Sequence, residues 1–213
     1  MKIAIIGATG YIGSKLLAEA LARQHQVTAL VSRPERVPAH PAATAVKTDV
    51  LDTAALASQL EGHDAVITAF SGHAHGDNTY DYYVQGMRAI IAAAKRAHVR
   101  RLLVVGGAGS LEVAPGVQVV DTPDFPEQWK QSALGAREAL NLLRKEETLN
   151  WTMLSPAAHI VPGERTGRFR LGKDQLLADA HGESRISVED YAVAMLDELA
   201  QPAHERSRFT VAY

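Results

Sequence analysis

The sequence predicts an α/β protein built on a doubly wound parallel sheet, and three observations carry that prediction. Short apolar runs of strand length alternate with segments of helical periodicity through most of the 213 residues, the pattern of βαβ units joined by right-handed crossovers. The first apolar run passes directly into a glycine trio and then a helix. The length suits one domain, large enough to bury roughly 70% of the surface of the unfolded chain.

Ile3 to Ile6 is a continuous apolar run, as expected for a parallel strand covered on both faces. Residues 11–23 carry Ile12, Leu16, Leu17, Ala20 and Leu21 at helical spacing. Val27 to Val31 and the weaker Ala43 to Val46 are the next strands, followed by a short helix over Thr53 to Leu60 capped by Asp52 or Thr53. Ala65 to Ala69 is a fourth strand and residues 79–98 a long helix. Leu102 to Val105, a helix over 126–147 and Trp151 to Leu154 complete the alternation. Six such strands predict a Rossmann-type sheet in the order 3-2-1-4-5-6 over residues 1–156. After Pro156 the rhythm changes, and residues 157–213 are expected to form a small C-terminal lid, part of a single domain of residues 1–213. Within it a helix over 188–200 is predicted, capped by Ser187 with Asp190 at the third helical position. Arg208 to Ala212 reads as a short closing strand.

Composition narrows the function. There is no cysteine, which excludes disulfides, thiolate nucleophiles and Cys-ligated zinc or iron–sulfur clusters. A net charge of -2 lacks the basic footprint of a nucleic-acid binder. No window approaches the ~18 uninterrupted apolar residues of a membrane span. The opening Met1-Lys2-Ile3-Ala4-Ile5-Ile6 ends its apolar run at Gly7, short of the ~7–15 residues of a signal peptide. A cytoplasmic protein acting on a small molecule is expected, with neither nucleic acid nor membrane as partner, as a monomer or homodimer.

The glycine trio is Gly7-Ala8-Thr9-Gly10-Tyr11-Ile12-Gly13. A glycine at a strand end permits a tight turn, a second admits a pyrophosphate close to the backbone, and a third lets helix and strand pack closely. The helix N-terminus adds unpaired donors and a favourable dipole. Gly7, Thr9, Gly10, Tyr11 and Ile12 are therefore expected to bind a dinucleotide. The second strand ends Leu30-Val31-Ser32-Arg33, without the carboxylate that would hold the ribose hydroxyls of NAD. A guanidinium suits a 2′-phosphate, so Ser32 and Arg33 predict NADPH, with NADH possible; a solvated Arg33 stacking on adenine would serve both. Ligands of such sheets bind beyond the carboxyl ends of the strands, which adds Ala69, Phe70, Ser71, Gly106, Gly107 and Pro156.

The Gly-x-x-Gly-x-x-Gly spacing resembles the extended and atypical short-chain dehydrogenase/reductases. Gly106-Gly107-Ala108-Gly109-Ser110-Leu111, Leu154-Ser155-Pro156-Ala157-Ala158, Pro162-Gly163-Glu164-Arg165-Thr166-Gly167, Ile186-Ser187-Val188-Glu189-Asp190-Tyr191-Ala192 and Arg208-Phe209-Thr210-Val211-Ala212-Tyr213 resemble the NADH-flavin reductase group of the atypical families. That group is similar to the flavin/biliverdin-IX-beta reductases. The resemblance covers essentially the whole chain. It implies that Asp49-Val50 sits against adenine, although Asp49 could instead cap the next helix.

Short-chain dehydrogenases carry a Tyr-x-x-x-Lys pair on the helix after the fifth strand. Here that helix reads Trp129-Lys130-Gln131-Ser132-Ala133-Leu134 to Glu138, and Lys130 and Leu134 take the two places. Tyr11 to Lys15 has the spacing but lies on the wrong helix. Ordinary alcohol–ketone chemistry, which needs a placed acid, is thereby disfavoured. Hydride transfer to a flat conjugated ring needs no strong protein acid, because the ring spreads the charge. The resemblance thus implies an NAD(P)H-dependent oxidoreductase of the flavin reductase type, with flavin as substrate rather than bound prosthetic group. It matches His159 to the histidine after the sixth strand, and Ser110, to within about one residue, to the serine after the fifth. His159 reads as a proton or hydrogen-bond donor or a loop histidine, and Ser110 as a substrate contact or a turn residue. A catalytically weak NAD(P)-binding redox sensor is the alternative function. His73 and His75 have chelating spacing without a second cluster, and Arg165, Arg168 and Arg170 are either an anion site or solvated.

Overall fold

In the computed structural model, which describes residues 1–72 and 78–213, the sheet is centred on the most uniformly apolar strand. β1 (Lys2–Ile6) is buried at every position after Lys2 and lies parallel to β2 (Gln26–Val31) on one side and β4 (Ala65–Thr68) on the other. A strand with no solvent face reads as a run rather than an alternation. β3 (Ala43–Lys47) pairs with β2 at the sheet edge and is largely exposed, which is why it is the weakest of the strands in sequence. β5 (Arg101–Val105) and β8 (Asn150–Pro156) follow β4, again parallel. The expected order 3-2-1-4-5-6 is present, with β8 as its sixth member.

The sheet then continues. β12 (Ser207–Ala212) pairs parallel with β8, and β10 (Arg170–Gly172) closes the edge antiparallel to β12. Two helices cover one face: α1 (Gly13–Ala22) and α5 (Val188–Ala200), which pack on each other. Three cover the other: α2 (Thr53–Leu60), α3 (Thr79–Arg96) and α4 (Glu127–Arg144). The segment read as a lid is therefore divided. α5, β12 and β10 belong to the layered core. The rest of residues 157–187 follows the carboxyl end of β8 and contains a two-stranded parallel ribbon of β9 (His159–Val161) and β11 (Arg185–Ser187). A hairpin of β6 (Glu112–Ala114) and β7 (Val117–Gln118) follows β5.

Local signals behave as their chemistry demands. Asp52 caps α2 by accepting the Ala55 N–H at 3.0 Å. Ser187 caps α5 by accepting the Asp190 N–H at 3.0 Å. The reciprocal half of that box is not made. The Asp190 carboxylate, fully buried, accepts instead from the Thr166 hydroxyl at 2.6 Å, the Gly167 N–H at 2.8 Å and the Tyr213 hydroxyl at 2.8 Å. No helix among the described residues is long and apolar enough to cross a membrane.

Candidate functional site

All the strands from β1 to β8 in the main sheet are parallel, so their carboxyl ends open on one edge. Gly7 leaves β1 at φ 78°, a conformation that side chains resist, and its N–H donates to Leu30 O at 2.9 Å. A Cβ on Gly7 would stand 2.8 Å from Ala69 O. On Gly13 it would stand 2.0 Å from Gly7 O, so the first turn of α1 can pack on the glycine turn only as glycine. Gly10 is exposed, and a Cβ there would meet only Gly7 O at 3.3 Å. Ile12 occupies the N-cap of α1 and supplies no side-chain bond. Among the described residues, no acceptor takes the N–H groups of Thr9, Tyr11, Ile12 or Gly13. Unpaired donors at the positive end of a helix, with a wall that admits no Cβ, are an arrangement, or cradle, suited to a phosphate-type anion.

Ser32 and Arg33 lie exposed just past β2, where Arg33 precedes a 3-10 turn over Pro34–Arg36 and has no acidic partner among the described residues. Asp49 is exposed and turns on itself, its Oδ1 accepting the Leu51 N–H at 3.0 Å; with Asp52 as the cap of α2, that alternative for Asp49 is removed. Val50 beside it is buried. Ala69 continues the ladder by donating its N–H to Ile6 O at 2.9 Å. The Phe70 ring packs against α3. It fills the space over Gly86, where a Cβ would lie 2.2 Å from Phe70 Cε1, and stacks on Tyr83 with centroids 6.0 Å apart. The ring also lies 5.3 Å from that of Tyr82, and Phe70 as a whole is half-buried. Burial pushes the Tyr83 hydroxyl well above its ordinary range and marks it as a core residue. Ser71 is exposed; His73 and His75 lie outside the described residues.

Past β5, Gly106 donates its N–H to Leu154 O at 2.8 Å, and Gly106 and Gly107 remain half-buried. Ser110 does not face the open edge. It is 2% exposed, its hydroxyl accepts from Arg208 Nη1 at 3.2 Å, and its carbonyl accepts from Nη2 at 3.4 Å. Arg208 in turn pairs with Asp174. The hydroxyl expected at the substrate is thus part of an internal ion-pair network. On α4, Lys130 lies 3.3 Å from Glu127 and Leu134 is half-buried, so the helix carries no Tyr/Lys pair.

His159 is exposed on β9, directly across from Arg185 in register on β11. Ser184 holds the turn before it, accepting the Ala158 N–H at its hydroxyl and the His159 N–H at its carbonyl, each at 3.0 Å. A cavity of about 570 Å³ lies beside the ribbon, lined by Ala158, His159, Val161, Leu176, Glu183 and Arg185. Pro156, at the end of β8, is buried.

The family model for NAD(P)H-binding proteins matches residues 7–199, from the first glycine of the turn to the last turn of α5. The chain belongs to this NAD(P)H-binding family. Uncharacterized protein YwnB of Bacillus subtilis is 44% identical over 214 residues, covering 99% of this chain and 98% of that protein. The solved structure of a proposed exported protein from Burkholderia pseudomallei is 46% identical with a TM-score of 0.89, covering 100% of both chains. That of a proposed NADH-flavin reductase from Streptococcus pneumoniae is 35% identical with a TM-score of 0.84, covering 100% of this chain and 99% of that one. The likeness to the NADH-flavin reductase group is borne out.

In this NAD(P)H-binding protein several side chains act through partners that local sequence does not reveal. Arg165 is paired within the protein: its Nε and Nη2 donate to Glu19 at 2.7 and 2.8 Å. Hydrogen bonding from Arg165 holds the Glu19 carboxyl below the usual range against the opposing effect of burial, and Arg23 adds to it. Tyr11, exposed in the glycine turn, donates its hydroxyl to Ile160 O at 3.4 Å and so reaches the strand that carries His159.

Proposed function

We propose that the protein transfers hydride from NADPH to a flat conjugated acceptor such as a free flavin, which enters as substrate. The observation that carries this reading is the placement of His159 on the rim of an open cavity, on a strand bonded to the glycine turn through Tyr11. The cradle residues fit the cofactor: the N–H groups of Thr9, Tyr11, Ile12 and Gly13 would hold its pyrophosphate, Ser32 and Arg33 its 2′-phosphate, and Asp49 and Val50 its adenine. The backbone of Ala69, Phe70 and Ser71, with that of Gly106 and Gly107 and the Pro156 turn, would border the nicotinamide ribose. When bound, the nicotinamide supplies the hydride. His159 donates a hydrogen bond from a ring N–H to the acceptor as negative charge develops there. The absence of the Tyr/Lys pair from α4 supports an acceptor that delocalises that charge itself.

Arg33→Ala is expected to weaken NADPH binding about 10–100-fold, the scale of charge-assisted hydrogen bonds, and to leave NADH binding unchanged. Equal affinities for the two cofactors, or an equal loss of both, would refute the assignment; titration calorimetry reads either. For the acceptor, steady-state NADPH oxidation with FMN, FAD or a quinone is expected to exceed a heat-inactivated control. His159→Ala should lower kcat/KM for the flavin about tenfold, as one lost hydrogen bond to a developing charge does. Unchanged kcat/KM would remove His159 from the chemistry. Tight NADPH binding with no turnover would identify a dinucleotide sensor instead.

A further inference from the structure

Tyr11, Lys15, Glu19 and Arg23 recur every four residues through the glycine turn and α1, so they form one stripe along the helix. Every member is bonded to the C-terminal half of the chain. Tyr11 donates to Ile160 O at 3.4 Å. Lys15 Nζ lies 3.0 Å from Glu189 Oε1, and the other oxygen of Glu189 accepts the Gly163 N–H at 2.9 Å. Glu19, 6% exposed, takes both hydrogen bonds from Arg165, and Arg23 lies 2.8 Å from Asp197. Tyr11 and Glu19 bond directly to residues 160–165, immediately past His159, and Lys15 reaches Gly163 in the same segment through Glu189. The stripe starts inside the anion cradle and its far ends grip the segment that carries the acceptor-side histidine. This also accounts for Tyr11 and Lys15, whose Tyr-x-x-x-Lys spacing has no acid–base use on this helix. The Lys15–Glu189 and Arg23–Asp197 pairs are partly exposed and contribute little to stability one at a time, so stability alone is a poor explanation for their alignment along the stripe.

We propose that Tyr11, Lys15 and Glu19 are positioning residues: they hold the His159 strand in register with the phosphate turn, so that ordering of the turn by NADPH also orders residues 159–165. The proposal rests on the reading of His159 as the acceptor-side residue. Energetically it is a population effect, since NADPH binding to the turn favours the bonded arrangement of the strand over its detached one.

The test uses the whole protein with Glu189→Gln, Arg165→Met and the double variant, none of which touches the glycine turn. Amide hydrogen exchange is followed at residues 159–165 with and without NADPH, and steady-state kinetics are measured with FMN. In the wild-type protein NADPH is expected to slow exchange at 159–165 about fivefold or more, and in the double variant by less than about twofold, the scale set by losing weak ion pairs. KM for FMN should rise about fivefold with kcat within about twofold of wild type, and NADPH affinity should fall by no more than about the same fivefold, its reciprocal share of the coupling. Glu189→Gln alone, which leaves the buried Glu19 paired, should show part of the same effect if the double variant folds poorly. The proposal is overturned if NADPH leaves exchange at 159–165 unchanged in the wild-type protein. It is equally overturned if the variants lower the melting temperature while the exchange response and the KM for FMN stay as they were. A wild-type protein that shows the exchange response but reduces no acceptor would sink the hydride-transfer reading and leave the positioning role standing.

Discussion

Gly13→Ala is expected to remove NADPH binding and to destabilise the protein by about 3 kcal/mol or more, the range of severe steric substitutions. The added methyl would sit 2.0 Å from Gly7 O and 3.2 Å from Ala8 Cα. Both neighbours are backbone, so no side chain can swing aside. Relief requires α1 to move off β1, which opens the packing of Leu16, Leu17 and Ala20 against the sheet and misplaces the free donors of the cradle. Gly10→Ala is the contrasting variant. Its methyl meets only Gly7 O at 3.3 Å on an exposed face, so the fold should survive while the approach of a phosphate is obstructed. Thermal melts with and without NADPH separate the two. Gly13→Ala should lower the melting temperature in both conditions; Gly10→Ala should abolish mainly the increment that NADPH confers. A Gly13→Ala protein with wild-type melting and affinity would contradict the role given to this contact.

The second large effect is far from the cradle. Glu198, 4% exposed on α5, accepts from Arg101 Nη2 at 2.9 Å, from the Ala203 and His204 N–H groups at 3.1 and 3.0 Å, and lies 2.8 Å from His204 Nδ1. Glu198→Ala leaves the Arg101 guanidinium without its counter-ion and several donors without an acceptor. Removing one partner of a buried pair costs about 3–5 kcal/mol, which in a chain of this size lowers the melting temperature by roughly 6–20 °C. Glu198→Gln, which keeps one acceptor, should fall between. The same group gives the stability a pH dependence. Burial raises the Glu198 carboxyl, but hydrogen bonds from His204 and the Ala203 and His204 amides, with the Arg101 charge, more than offset this and hold it below its ordinary value. Its folded pKa is therefore below the unfolded one of about 4.3. The stabilisation is complete above that unfolded value and is lost as the pH falls through the folded one. The acid limb of wild-type unfolding should accordingly be steeper than that of Glu198→Gln; parallel limbs would refute the assignment.

The elements that could be read in advance are those whose causes are local. The Ile3–Ile6 run, the glycine trio, the Asp52 and Ser187 caps and the apolar faces of α3 and α4 each depend on residues within a turn or two of each other. What escaped depends on pairing at a distance. Arg208 meets Ser110 across 98 residues, and nothing near Ser110 announces that its hydroxyl is already taken. Arg165 alternates with Arg168 like a surface charge, yet its partner is Glu19, 146 residues earlier. Phe70 ends a strand at the expected edge, but the direction of its ring is decided by the space left at Gly86 on α3. For the glycine turn, type and spacing sufficed to predict the tight turn and close helix packing that the fold shows; for His159 and Ser110, only the fold could show which stands open.

The place of β12 has a consequence for how the chain acquires its structure. It is inserted between β8 and β10, and Thr210 bonds to Ser155 across 55 residues. Until that long loop closes, β8 is an edge strand with an unpaired ladder, the arrangement most prone to pair with a neighbouring chain. Closure of distant parallel strands is slow because the entropy of the loop is lost before the contacts form. The β1–β2–β3 pairings, made across 24 and 16 residues, are therefore expected to form first, and the two long closures, β4 on β1 across 62 residues and β12 on β8 across 55, to set the rate. Arg208, bridging β12 to Ser110 and Asp174, then latches the late strand to the loop beyond β5.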